Sequence, residues 1–163
     1  MLMERFFEMM MLSKKSLKIA DHILTQTYPM LKDVKLFLPV LENIFIAMSY
    51  AMTSLLHFEV YYKRIEFFKD DFMIKLHLFN NECAPKYHLK REYAVLMQKL
   101  RELLILHKKS QVEFSRKDVF VICTDNYNLK TISGEMASRY LGLAKSFISD
   151  VESIVGKPIK KLV

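Results

Sequence analysis

Residues 41–62 read LENIFIAMSYAMTSLLHFEVYY, and within them Leu41, Ile44, Met48, Ala51, Leu55, Phe58 and Tyr62 recur every three or four positions. That is the period at which an α-helix stacks side chains on one face. Further apolar residues flank the stripe, so a helix here is apolar over much of its circumference and belongs at the centre of a core. The spacing predicts a helix over about 36–66, with Pro39 in its first turn, where a missing N–H is tolerated. The longest run without a charged or strongly polar group, Ile44 to Leu56, has 13 residues. A bilayer-spanning helix needs roughly 20, so a buried core helix is expected and no membrane is implied.

The same period continues outward in both directions. Leu17, Ala20, Ile23, Leu24 and Thr27 follow a polar start at Ser13–Ser16 and precede Pro29, which predicts a first main helix over about 13–28. Residues 2–11 form its preceding turn or a short helix of their own. Phe72, Leu76 and Phe79 predict a helix over about 70–82, opened by the Asp70-Asp71 pair and broken at Ala84-Pro85. A fourth, over about 89–108, carries the stripe Tyr93, Leu96, Met97, Leu100, Leu103, Leu104 and His107. Val119 to Cys123 is β-branched and aromatic, and Leu129 to Ile132 follows Asp125-Asn126, so a small β-hairpin is expected there. Ser133 can cap a last helix over about 134–154, with the stripe Met136, Tyr140, Ala144, Phe147, Val151 and Ile154. Gly156 and Pro158 end it, and Lys157 to Val163 is expected to be a loose tail. The fold class is mainly all-α: one domain over 1–163, a bundle of about five helices with a small β-hairpin before the last.

Composition agrees with that class. The 163 residues are 52% hydrophobic with 3 Gly and 4 Pro, which is poor in turn formers and favours helices. Met (11) and Phe (12) supply an adaptable core. Cys83 and Cys123 are the two cysteines, far apart and outside any CxxC pattern, so neither a disulfide framework nor a zinc motif is indicated. A reducing cytoplasm is the expected setting. Glu4, Arg5 and Glu8 interrupt the apolar start, which is not how a secretory signal is built.

Charge is segregated. Residues 1–83 hold ten Lys/Arg and ten Asp/Glu, whereas 84–163 hold fifteen against eight, which is the whole formal +7. Ten basic against five acidic residues fall within 84–130. Such asymmetry points to RNA or another polyanion as partner, with a solvated basic surface as the alternative. Phosphate-loop, dinucleotide and HExxH signatures are absent. His22, His57, His77 and His88 are scattered singly, and Asp70, Asp71 and Glu82 are too sparse for a two-metal site, so no metal or cofactor is expected.

One stretch can carry chemistry: Arg101-Glu102-Leu103-Leu104-Ile105-Leu106-His107-Lys108-Lys109-Ser110. The imidazole of His107 can transfer protons, and the donor fork of Arg101 can hold a phosphate. A six-residue helical step separates their directions by about 120°, so an unwound helix end or a second subunit would help them converge. RNA suits the pair because its 2′-hydroxyl serves as the nucleophile. At these residues the chain resembles the HEPN superfamily, helical bundles that include many prokaryotic ribonucleases and toxin components. That family carries Arg, four to six intervening residues and His on or after the helix preceding its last; Arg101 and His107, with five between, fit. The helix containing Ile44 to Ala51 is also similar to the family's core helix. The resemblance implies a metal-independent endoribonuclease with Arg101 and His107 catalytic. Glu102 departs from the family's Asn, Asp or His after the Arg, and is placed to pair with Arg101 instead. In the structural alternative His107 merely ends the apolar stripe near the helix C-terminus and Arg101 is solvated.

The basic loop expected at 107–117 is the second candidate. Lys108, Lys109, Arg116 and Lys117 bracket Ser110, Ser115 and Phe114, a set able to grip a phosphate backbone and stack a base. Alternatively Val112 and Phe114 pin the loop to the core. The loop suits a non-catalytic nucleic-acid- or protein-binding module equally, and a homo-oligomerising bundle, such as a homodimer, is a further reading.

Overall fold

A computed structural model describes residues 2–126 and 128–156, excluding the side chains of Leu2 and Met3; the tail expected at 157–163 lies outside the described residues. The chain is mainly α-helical. Its order is α1 (Leu2–His22), α2 (Phe37–Tyr61), α3 (Phe72–Leu78), α4 (Arg91–Lys109), β1 (Val112–Arg116), β2 (Val119–Cys123), β3 (Leu129–Ser133) and α5 (Gly134–Val155). The expected bundle is therefore present, with a small sheet ahead of the last helix.

α2 is the centre. Phe37, Val40, Leu41, Ile44, Ala47, Met48, Ala51, Met52, Leu55 and Leu56 are fully buried. The stretch Val34–Tyr61 is long and apolar enough to cross a membrane by length and composition alone. Here its core-facing side is covered by α1, α3, α4 and α5, while Ile46 and Tyr61 stay exposed.

α1 departs from the expectation of a helix beginning near Ser13. It starts at Leu2 and runs through Ser13 without a break. Ser13 is wholly buried and its hydroxyl donates to the carbonyl of Ala47 at 2.6 Å; Ser54 returns the contact by donating to the carbonyl of Phe6 at 2.6 Å. These pairings run in opposite directions, so α1 and α2 are antiparallel, joined closely through small residues and satisfied hydroxyls. Nor does Pro29 end the first helical segment. A π-helical turn, Ile23–Thr27, leads into a final turn, Tyr28–Leu31, which Pro29 enters at a position needing no N–H. Lys32 (φ 50°) then ends it in the left-handed region.

Both predicted caps form. The Asp71 carboxylate accepts from the Ile74 amide at 3.0 Å, and the Ser133 hydroxyl accepts from the Met136 amide at 3.2 Å. α4 and α5 are linked through the fully buried Tyr93, whose hydroxyl bonds Ser146 Oγ at 2.8 Å and Asp150 Oδ2 at 2.7 Å. In the last turn of α2, the buried carboxylate of Glu59 (1% exposed) accepts from Arg64 Nε at 2.7 Å, from Lys86 Nζ at 3.1 Å and from the Tyr87 hydroxyl.

The sheet keeps the expected hairpin, as β2 and β3, and adds a strand to it. It is three antiparallel strands in the order β1-β2-β3, and the added strand, β1, occupies most of what was read as a basic loop. Phe120 and Ile122 of β2 and Ile132 of β3 join the core. Register pairs Glu113 with Ile122 and Phe114 with Val121. Strand alternation therefore turns Glu113 to the helix-facing side and Phe114 and Arg116 to the other. A two-residue turn at Lys117 (φ 52°) and Asp118 joins β1 to β2.

Candidate functional site: a cleft across the end of the fourth helix

Arg101, Leu104, Ile105 and Lys108 of α4 stand at positions i, i+3, i+4 and i+7 and share a stripe. Together with His107 they line one side of a cleft of about 530 Å³; Glu42, Phe45 and Ile46 of α2 and Phe72 of α3 line the other. The structure thus brings Arg101 and His107 to one cavity within a single chain, with no unwinding of α4 between them. His107 stands at the edge of the stripe, in the last turn of the helix.

Each side chain is held by a neighbour from elsewhere in the chain. The Arg101 guanidinium lies over the Phe72 ring, 5.5 Å from its centroid, and Phe72 in turn packs on Phe45 at 5.2 Å. A stacked guanidinium keeps its edge donors available for an oxyanion. Among the described residues Arg101 has no ion pair, so Glu102, which is exposed, does not neutralise it as its sequence position allows. His107 is neither buried among leucines nor free in solvent. Its side chain is 29% exposed, and Nδ1 lies 2.8 Å from Glu113 Oε2 and 3.0 Å from Oε1. A carboxylate on Nδ1 fixes the tautomer that leaves Nε2 open.

The other candidates separate. Lys108 joins the cleft, and Lys109 is exposed at the end of α4. Ser110 is occupied: its hydroxyl is shared between the carbonyls of Val112 at 3.0 Å and Cys123 at 3.1 Å, tying the helix end to the sheet. Phe114 is 39% exposed and Val112 54%, so neither pins the segment to the core. Arg116 shares Phe114's face, and Lys117 sits in the turn, exposed. At roughly 3.3 Å per strand residue, Arg116 lies about 10 Å along β1 from Glu113.

Glu42, Phe72 and Glu113 belong to the site and were missed by sequence reading, since all three reach it from other elements. A signal existed only for Glu113, whose place in the alternation Val112-Glu113-Phe114-Ser115-Arg116 fits an edge strand with one inward carboxylate. Among the described residues no group of three or more His, Cys, Asp or Glu side chains is arranged to hold a metal ion. Cys83 and Cys123 are unpaired, and burial pushes the Cys83 thiol up to about 12.

No family model, curated protein or solved structure matches this chain.

Proposed function

We propose that the protein is a HEPN-like, cytoplasmic RNA-binding protein that cleaves RNA without a metal, using Arg101 and His107. The reading is supported chiefly by one observation: the two side chains line a common cleft while Glu113 braces the imidazole from behind. In this mechanism the Arg101 fork holds the non-bridging oxygens of the scissile phosphate. His107 Nε2 accepts the 2′-hydroxyl proton as the O2′–P bond forms and the P–O5′ bond breaks. The proton is then returned to the leaving 5′-oxygen, giving a 2′,3′-cyclic phosphate and a 5′-hydroxyl end. The Glu42 side chain also lines the cleft.

Lys108, Lys109, Arg116 and Lys117 would follow the RNA backbone away from the cleft, and exposed Phe114 would stack a base. None of these four cations makes an ion pair among the described residues, which leaves them available to phosphate. A homodimer would extend the basic surface. Incubating the protein with a single-stranded RNA panel in the presence of a chelator tests the reading: cyclic-phosphate products are expected from the parent chain and none from His107→Ala.

The exposure of Phe114 and its basic neighbours favours a second reading, a non-catalytic module that holds RNA on this surface. Salt-dependent RNA binding with no turnover would select it.

A further inference from the structure

A second cavity lies on the same side of α2, away from the end of α4. It measures about 360 Å³ and is lined from α1 by Arg5 and Met9, from α2 by the helical face that includes Ser49, Tyr50, Thr53 and His57, and by Phe68, Asp70 and Lys75. Phe45 and Ile46 form a wall common to both cavities.

Its polar groups are incompletely satisfied. Ser49 Oγ and His57 Nδ1 are buried and have no hydrogen-bond partner, an uncommon condition that carries a cost. Lys75 is buried, and its ammonium reaches Asp70 Oδ1 at 2.6 Å and Thr53 Oγ1 at 3.1 Å. Arg5 has no ion pair among the described residues. Two cations therefore face one carboxylate. The remaining wall is apolar and partly aromatic, with Phe68 against the His57 ring at a centroid distance of 5.0 Å.

We propose that this cavity binds a small monoanionic organic acid, a carboxylate on a flat apolar body. One negative charge balances the excess of Arg5 and Lys75 over Asp70. The Ser49 hydroxyl and the His57 ring supply donors that the fold leaves unused, and Phe45, Tyr50 and Phe68 take the apolar body. Burial lowers the pKa of His57, as do the charges of Arg5 and Lys75, against an opposing pull from Asp70. These effects favour the neutral imidazole, which has one N–H to give and adds no third positive charge to the cavity. The proposal does not rest on any activity at the Arg101–His107 cleft, with which the cavity shares its Phe45–Ile46 wall.

Benzoate, phenyl phosphate and the neutral isostere benzamide provide the test, with His57 side-chain resonances of the full chain followed by NMR. Benzoate is expected to shift them saturably, to raise the His57 pKa, and to bind at least about tenfold more tightly than benzamide. The largely dianionic phenyl phosphate is expected to bind more weakly. Arg5→Gln changes an exposed residue, so the helical circular dichroism should persist while benzoate affinity falls about tenfold. Equal binding of benzoate and benzamide, indifference to Arg5→Gln, preference for phenyl phosphate, or no saturation by about 10 mM benzoate would each overturn the proposal.

Discussion

Glu113, the second residue of β1, reaches His107 in the last turn of α4, with Oε2 2.8 Å from Nδ1. The pair joins the sheet to the helix at the mouth of the cleft, and it sets the direction of the imidazole. On the proposed mechanism Glu113 is a positioning residue rather than one that touches RNA. Glu113→Ala should lower cleavage about tenfold or more, within the roughly 10²–10⁴ that proton transfer contributes. Glu113→Gln keeps an acceptor for Nδ1 and should retain more activity than Glu113→Ala. Single-turnover rates measured across pH, with circular dichroism as a control, distinguish this from loss of fold; equal losses in both variants would contradict it.

Arg101→Lys keeps the charge but loses the planar fork and the stacking on Phe72. Cleavage should fall about tenfold or more, and Phe72→Leu, which removes the shelf and keeps Arg101, should cause a smaller loss in the same direction. Steady-state kinetics on a short single-stranded RNA measure both.

Lys108 and Arg116 are assigned to phosphate contacts, and Ser110 to the structure. Each Lys or Arg truncation in this group should reduce the slope of log affinity against log salt by about 0.7 for single-stranded RNA. Ser110→Ala should leave that slope unchanged and cost roughly 1 kcal/mol of stability, because the hydroxyl is shared by two carbonyls where α4 meets the sheet. Filter binding at several salt concentrations and urea unfolding separate the two effects.

Glu59 links the stability of the fold to pH. Burial works to raise its pKa, but hydrogen bonds from Tyr87, Arg64 and Lys86 outweigh burial and hold the carboxyl below its ordinary value. A depressed folded-state pKa contributes stability that is present above the unfolded value, about 4.3, and is lost as pH falls through the folded value. Glu59→Gln should therefore destabilise the protein by roughly 2 kcal/mol at neutral pH, less than for a wholly buried pair because Arg64 and Lys86 reach solvent. The difference from the parent should shrink on acidification below pH 4. Urea unfolding at pH 7 and at successively lower pH measures it.

The helices were legible where a stripe of large apolar residues met a clear end signal. α5 has both, and Asp71 and Ser133 cap as their types predict, whereas α2, with a stripe but no stop signal, ends at Tyr61, short of the expected 66. α1 was cut short because Ser13 looks like a polar boundary; only the partner helix reveals that its hydroxyl is satisfied by Ala47. β1 was hidden because an edge strand exposes most of its residues and so shows little hydrophobic pattern. Arg101 and His107 could be chosen from residue type and spacing. Glu42 and Phe72 could not, since they are brought to the cleft by contacts that exist only in the folded chain, and Glu113 had only the faint alternation of an edge strand to mark it.

The most direct measurement is the rate of single-stranded RNA cleavage, in chelator, by the parent protein and by His107→Ala at equal helical content. The account predicts 2′,3′-cyclic phosphate products from the parent and a loss of about 10²-fold or more in the variant. No cleavage by the parent protein, or the same rate in both, would contradict it.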